Sequence, residues 1–406
     1  MDKYRVKKVI EKKNIEVSVP GSKSITNRAL MLAAMSGQIC TLKGVLFSDD
    51  SRAFLECLLR LGFEVNIDEA VCEVVIKGEN GNVPNKKAEI NVESAGTAAR
   101  FITVFLAVAG GDYVLNSSEQ MKKRPMRELL DSLEGKGVRI KYLENEGHFP
   151  FEIHSDGIGN GEVSIDTTTS SQYASALLMA SVINGMKINL TGSRVNGAYI
   201  NITLKMMEQF GISFERSENT YFIKGQQYGV EDYEIEPDMS AACYFYAMAL
   251  ILKTKSAVRG IHKNSMQGDI KFLYALEQLG CRLSDYSDGI EIDASQVTDY
   301  NGIEIDMSDF SDQALTMSVV VAFANTESRI KNIGHIRKQE SDRVQVIVNE
   351  LNRIGCGAEI VEESGRTDVI IKPGQLHGAE IETYDDHRVA TVSYTHLRAH
   401  ETELHL

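Results

Sequence analysis

A repeat constrains this chain more than any other feature. Six times, at openings near residues 24, 97, 171, 240, 312 and 387, a short polar stretch leads into an apolar helical run. The openings lie about 70 residues apart, a period that signals internal duplication. In the first five units a second helix with a mixed surface follows, over Asp50 to Leu61, Met126 to Leu133, Ile200 to Phe210, Ile270 to Leu279 and Val344 to Ile354. Each ends at or near a glycine: 62, 135, 211, 280 and 355. Strand-like stretches such as Phe63-Glu64-Val65-Asn66-Ile67 and Val71 to Ile76 lie between the helices. A first helix that is apolar nearly all round belongs in a core, so buried helices with outer sheets are expected. At 406 residues the chain exceeds one comfortable core, and six units fit two domains of three. Two halves facing each other would point six helix starts at one cleft.

The polar residues of interest fall at those starts. Pro20-Gly21-Ser22-Lys23-Ser24-Ile25-Thr26-Asn27-Arg28-Ala29-Leu30 is the richest. Ser24 and Arg28, four apart, share a face, and Lys23 stands beside the helix start with its unpaired N–H groups. Cations, hydroxyls and a positive helix end together describe an anion site. The plain alternative is a capped surface helix with two solvated charges; repetition of the device along the chain favours the anion. Net charge of −14 argues against nucleic acid or an anionic membrane as partner, so cations for an anionic ligand must be concentrated locally. No apolar run approaches the roughly 20 residues that span a bilayer, and Met1-Asp2-Lys3-Tyr4-Arg5 lacks a signal core, so a cytoplasmic protein is expected. Six scattered cysteines without a Cys-x-x-Cys pair suggest neither a zinc site nor a disulfide framework. Neither a P-loop nor a dinucleotide fingerprint in strand–helix context occurs, Gly157-Ile158-Gly159-Asn160-Gly161 reading as a turn.

Six motifs in register carry a resemblance. Pro20 to Leu30, Ser94-Ala95-Gly96-Thr97-Ala98-Ala99-Arg100, Lys123-Arg124-Pro125, Ser170-Ser171-Gln172, Glu340-Ser341-Asp342-Arg343 and Asp386-His387-Arg388 resemble, in order and spacing, those of the 3-phosphoshikimate 1-carboxyvinyltransferase (EPSP synthase) family. The resemblance implies a two-domain inside-out α/β barrel, the enolpyruvyl transferase fold. The domains would be residues 20–228 on the shikimate 3-phosphate side, and 1–19 with 229–406 carrying the acid/base and phosphoenolpyruvate-binding residues. It also implies a reaction in which the 5-hydroxyl of shikimate 3-phosphate attacks C2 of phosphoenolpyruvate and the tetrahedral adduct expels phosphate. No metal or organic cofactor is implied. A monomer is expected, with glyphosate occupying the phosphoenolpyruvate site.

The two substrates bring about five negative charges at neutral pH, and Lys23, Arg28, Arg100, Arg124, Arg343 and Arg388 would answer them. By resemblance Lys23 touches both substrates and belongs to the catalytic set, while Ser24 and Arg28 bind the shikimate side. Ser170 and Ser171 would hold the 3-phosphate, with Gln172 between the substrates. Gly96 would bring backbone N–H groups to phosphoenolpyruvate, and Arg124, Arg343 and Arg388 would clamp its phosphate and carboxylate with planar forks. Arg100, one turn inside its helix, reads equally as ligand or scaffold. Asp312 and Glu340 are the candidate acid and base; the plain readings are a helix cap and an ion pair, but carboxylates among anionic substrates are costly unless they carry protons.

Three places depart from the family pattern. Gln339 stands where a lysine usually precedes the glutamate, with Lys338 before it, and Asn196-Gly197-Ala198-Tyr199 replaces a Ser-Lys-Pro-Tyr-like segment. After Thr391 the chain follows neither the family nor a second helix, and histidines 396, 400 and 405 fall there, which leaves the sixth unit incomplete. Two other functions compete. A UDP-N-acetylglucosamine 1-carboxyvinyltransferase would share fold and donor but usually carries a reactive cysteine, and Gly111 to Arg127 contains none. A non-catalytic anion-binding relative would draw on Gln339 and the divergent end.

Overall fold

The computed structural model describes residues 3–6, 13–192, 195–393 and 402–405. They form two compact units, Pro20–Glu236 and a second made of residues 1–19 with 237–406. The boundary falls after Glu236, beyond the 228 expected from sequence, because strand Asp232–Glu234 pairs in parallel with Ile39–Lys43. The second unit recruits Ile15–Val17 in the same way, in parallel with Lys255–Arg259.

Five sheets have four strands and one topology, a parallel pair followed by two antiparallel neighbours. In one of them Lys87–Asn91 runs parallel to Gly111–Asn116, which pairs antiparallel with Phe151–Ser155 and through it with Arg139–Tyr142. A parallel pair needs a crossover, and the apolar helix supplies it: Gly96–Ala109 joins these first two strands. Lys23–Met35 is buried from Ile25 onward, and Ala314–Val321 throughout. Each large apolar side chain so buried contributes about 1.5–3 kcal/mol over exposure. The sheets alternate as outer layers should, Cys40 and Leu42 being buried while Ile39 and Lys43 are exposed.

The second helices stop where glycine accepts a left-handed conformation. Gly62, Gly211, Gly280 and Gly355 have φ of 89, 85, 94 and 89°. Helix Arg127–Glu134 differs from expectation: Gly135 is still right-handed, and Gly137 at φ 88° makes the turn.

The sixth sheet has three strands. Glu380–Glu382 runs parallel to Thr402–His405, and Lys3–Val6 lies antiparallel on its other side, in the place of a third strand. His387–Ser393 makes the crossover, with no second helix after it among the described residues. Histidines 396 and 400 lie outside the described residues.

Candidate active site

In the first unit three helix starts are tied together by side chains. Arg28, 2% exposed, donates from Nε to Thr203 Oγ1 at 2.8 Å and from Nη2 to Ser175 Oγ at 3.2 Å and the Tyr199 carbonyl at 3.1 Å. Its Nη1 donates to the Ser24 carbonyl at 2.9 Å, and its guanidinium lies 5.4 Å from the Phe101 ring centre. Thus the helix from Lys23 meets both Gly96–Ala109 and Ser171–Ala180. Gln172 links the latter two, donating from Nε2 to Thr97 Oγ1 at 3.2 Å.

The caps differ in a way that suits ligands. Ser22 and Ala95 provide no side-chain cap for the helices they precede, whereas Ser170 accepts from the Gln172 N–H at 3.2 Å. Ser171 is buried. Gly197, in the segment that departs from the family pattern, likewise gives Ala198–Gln209 no side-chain cap.

Gly96 has a steric reason to be glycine. A Cβ there would lie 2.6 Å from Arg100 Nη1 and 2.7 Å from Arg124 Nη1. Arg100 is 3% exposed, donates to the Gly96 carbonyl at 2.8 Å and leaves Nε without a partner. Burial, reinforced by the Arg124 charge, pulls its guanidinium down to about 10. Burial likewise lowers Arg28 to about 10, against the opposing influence of Tyr199. Among the described residues no carboxylate pairs with Arg28, Arg100 or Arg124. Lys23 is different, its Nζ standing 2.9 Å from Asp50 Oδ2.

A cavity of about 980 Å³ opens beside Asp50, lined by Asp49, Glu56, Glu89 and Glu93 as well as Ser94 and Ala95. Asp49, Asp50, Glu56, Glu89 and Glu93 outnumber Arg52 and Arg60 in its lining, so the arginine cluster, not this hollow, has the sign an anionic substrate needs.

The second unit gathers the other candidates into a charged network. Arg343, 2% exposed, grips Asp386 at two points, Nε to Oδ2 at 2.8 Å and Nη2 to Oδ1 at 3.1 Å. Its Nη2 also reaches Glu340 at 2.7 Å; Nη1 bonds Gln339 Oε1 and Asp312 Oδ1, the latter at 3.4 Å. Arg388 donates from Nη2 to Asp312 Oδ2 at 3.1 Å and to Ser240 Oγ at 3.4 Å. Gln339 donates from Nε2 to Asp312 at 3.4 Å, while Lys338 is exposed. Gln339, and not Lys338, therefore joins this network.

Burial would raise the Asp386 carboxyl, but Arg343, Ser341 and the Arg388 N–H outweigh it and hold it below the usual range. Tyr384 and Asp385, just before it, have φ of 55 and 53°. Such left-handed residues in succession store strain beside the network.

Sequence reasoning missed several members of these clusters. Asp269 lies 8% exposed next to Asp312, and burial together with that neighbour's charge raises its carboxyl to about 6 despite Arg388, Ser240 and Gln313. It stands in the turn before a second helix, where a carboxylate reads as an ordinary surface residue. Asp386 and Ser240 were visible as parts of helix openings, but not as partners of the arginines. Thr203 and Ser175 carry no motif; only the fold reveals that they receive Arg28.

The family described as EPSP synthase (3-phosphoshikimate 1-carboxyvinyltransferase) matches residues 8–394. The protein named 3-phosphoshikimate 1-carboxyvinyltransferase from Nostoc punctiforme is 37% identical over 378 residues, 92% of this chain and 87% of that one. Its namesake from Sulfurovum sp. is 38% identical over 382 residues, 92% and 88% of the two chains. The solved EPSP synthase from Acinetobacter baumannii, at 21% identity, shares the fold with a TM-score of 0.83 over 99% of this chain and 94% of that one.

Proposed function

The chain belongs to the EPSP synthase family, and on that premise we infer how its residues share out the carboxyvinyl transfer from phosphoenolpyruvate to shikimate 3-phosphate. It is a transferase of the shikimate pathway, acting on these two small molecules. The UDP-N-acetylglucosamine reading is not favoured, since the matched family and relatives are named for the shikimate acceptor.

The observation that carries the assignment of roles is the set of arginines without carboxylate partners in the first unit. Charges held out of water with only neutral ligands are costly, and an arriving anion offsets that cost. Shikimate 3-phosphate is assigned to Ser24, Arg28, Ser170 and Ser171, with Lys23 and Gln172 serving both substrates. Arg124 and the start of Gly96–Ala109 are assigned to phosphoenolpyruvate, as are Arg388 and the Nη1 edge of Arg343. That edge now rests on Gln339 and Asp312, partners a substrate carboxylate would replace. Arg100, buried against the Gly96 carbonyl, is read as scaffold.

Asp312 and Glu340 are proposed to exchange protons with the 5-hydroxyl and the methylene carbon. Both lie against arginines assigned to phosphoenolpyruvate, Asp312 within 3.1 Å of Arg388 and Glu340 within 2.7 Å of Arg343. No helix among the described residues is long and apolar enough to cross a membrane. A cytoplasmic monomer is part of the proposal.

Phosphate release from phosphoenolpyruvate, measured on residues 1–406 with either acceptor, tests the function. Release is expected with shikimate 3-phosphate and not with UDP-N-acetylglucosamine; release with neither acceptor would support the non-catalytic relative. Arg28→Lys is expected to raise KM for shikimate 3-phosphate more than KM for phosphoenolpyruvate, and the reverse would overturn the assignment of Arg28.

A further inference from the structure

We propose that Asp269 is a positioning residue of the second cluster, its carboxylate aiming Arg388 through the Ser240 hydroxyl and fixing the turn that carries Asp312 through the Gln313 amide. Ser240 Oγ donates to Asp269 Oδ2, and the same oxygen accepts from Gln313 Nε2 at 2.9 Å. Gln313 cannot turn its amide round without loss, because its Oε1 already accepts from Thr316 Oγ1 at 3.1 Å. With its proton committed to Asp269, the Ser240 hydroxyl presents a lone pair to Arg388 Nη2 at 3.4 Å. Ser240 lies in the first turn of Met239–Leu252, Gln313 ends the turn before Ala314–Val321, and Arg388 lies in the first turn of His387–Ser393. One buried carboxylate thus connects the starts of all three first helices of this unit, where its charge also meets their positive ends.

The charged and titratable groups facing Asp269 are Asp312 and Arg388 from two helix starts, and the Cys243 thiol, which lies 3.8 Å from its carbonyl. Asp238 caps the same helix from outside, accepting from the Ala241 N–H at 3.0 Å. Burial and Asp312 raise the Asp269 carboxyl to about 6, so its charged form is disfavoured in the folded protein. The stability this group contributes is therefore present at low pH and lost as pH rises through that value. Removing the charge is therefore not expected to destabilise the protein under either role; a purely structural role leaves KM for phosphoenolpyruvate and its pH profile unchanged, whereas a positioning role raises that KM and removes the acid limb.

The inference rests on the reading that Arg388 binds phosphoenolpyruvate, and its test separates the two. Asp269→Asn is expected to raise KM for phosphoenolpyruvate by about tenfold and Ser240→Ala by about threefold, with KM for shikimate 3-phosphate held within about twofold. At pH 8 Asp269→Asn should melt no lower than the parent protein. The acid limb of kcat/KM for phosphoenolpyruvate near pH 6 should be lost in Asp269→Asn, since a limb belonging to the substrate would persist. Should Asp269→Asn fail to fold, Ser240→Ala alone decides. If Arg388→Ala raises KM for phosphoenolpyruvate while neither Asp269→Asn nor Ser240→Ala does, the positioning role is wrong. If Arg388→Ala leaves that KM unchanged, the assignment of Arg388 falls, and the inference with it.

Discussion

Asp386 exposes no part of its side chain and holds Arg343 by two oxygens, so the second cluster depends on it more than on the residues that would meet substrate. Asp386→Asn leaves a buried guanidinium short of the one counter-charge that holds it at two points, and breaking such a pair costs about 3–5 kcal/mol. The folded carboxyl lies below its usual range, so its contribution is present at neutral pH and lost as pH falls through the lowered value. Denaturant unfolding from pH 7 downward should show the parent losing stability below about pH 4, with a shallower loss in the variant; parallel curves would refute the role. Gln339 raises a different question, since it bridges Arg343 and Asp312 where the resemblance leads to the expectation of a lysine. Gln339→Lys would place an ammonium beside Asp312, within reach of the substrate assigned to Arg343. It is expected to lower KM for phosphoenolpyruvate by about threefold to tenfold, as one added charge-assisted hydrogen bond would. An increase in KM would mean that glutamine is fitted to this network.

At the level of elements, helix starts are where chain pattern and chemistry coincide, and Gly96 shows how tightly. Sequence alone explains a glycine there by the approach of substrate, whereas the structure adds two guanidinium groups within 2.7 Å of where a Cβ would stand. Both groups end flexible side chains, so Gly96→Ala should displace Arg124, the more exposed of the two, and leave the helix intact. KM for phosphoenolpyruvate should rise by about tenfold with little change in melting temperature, and steady-state kinetics beside a thermal melt would check both. A large fall in melting temperature would mean that buried Arg100 had moved instead. The helix starts were legible because apolar runs, polar openings and glycine stops all have short-range signatures. The partners of Arg28 were not, because Thr203 and Ser175 lie on other elements and look like ordinary hydroxyl residues. Asp269 was missed for the same reason: burial beside Asp312 is a property of the fold and leaves no local mark.

For the whole molecule, the six-fold repeat disclosed the architecture before any contact was known, since one topology recurs in five sheets and, with one strand fewer, in the sixth. What local pattern could not disclose was the exchange of strands across long stretches of chain. Asp232–Glu234 completes a sheet begun near residue 39, and Lys3–Val6 pairs with Thr402–His405. Charge is the other property of the whole chain, and it opposes the local clusters. A net charge of −14 repels two anionic substrates over long distances, while the arginines attract them over a few ångströms. Salt acts on these ranges differently, because the Debye length falls from about 30 Å at 0.01 M to about 10 Å at 0.1 M. Over that interval the distant repulsion is screened and the buried contacts are largely spared. The expected result is that kcat/KM for phosphoenolpyruvate rises by about twofold to threefold between those ionic strengths, provided the added anion does not compete. Chloride and gluconate salts run side by side would separate screening from competition, since screening depends on ionic strength and competition on the anion. A fall in both salts would show that the arginines dominate the field even at a distance, and that attraction steers the substrates from the start.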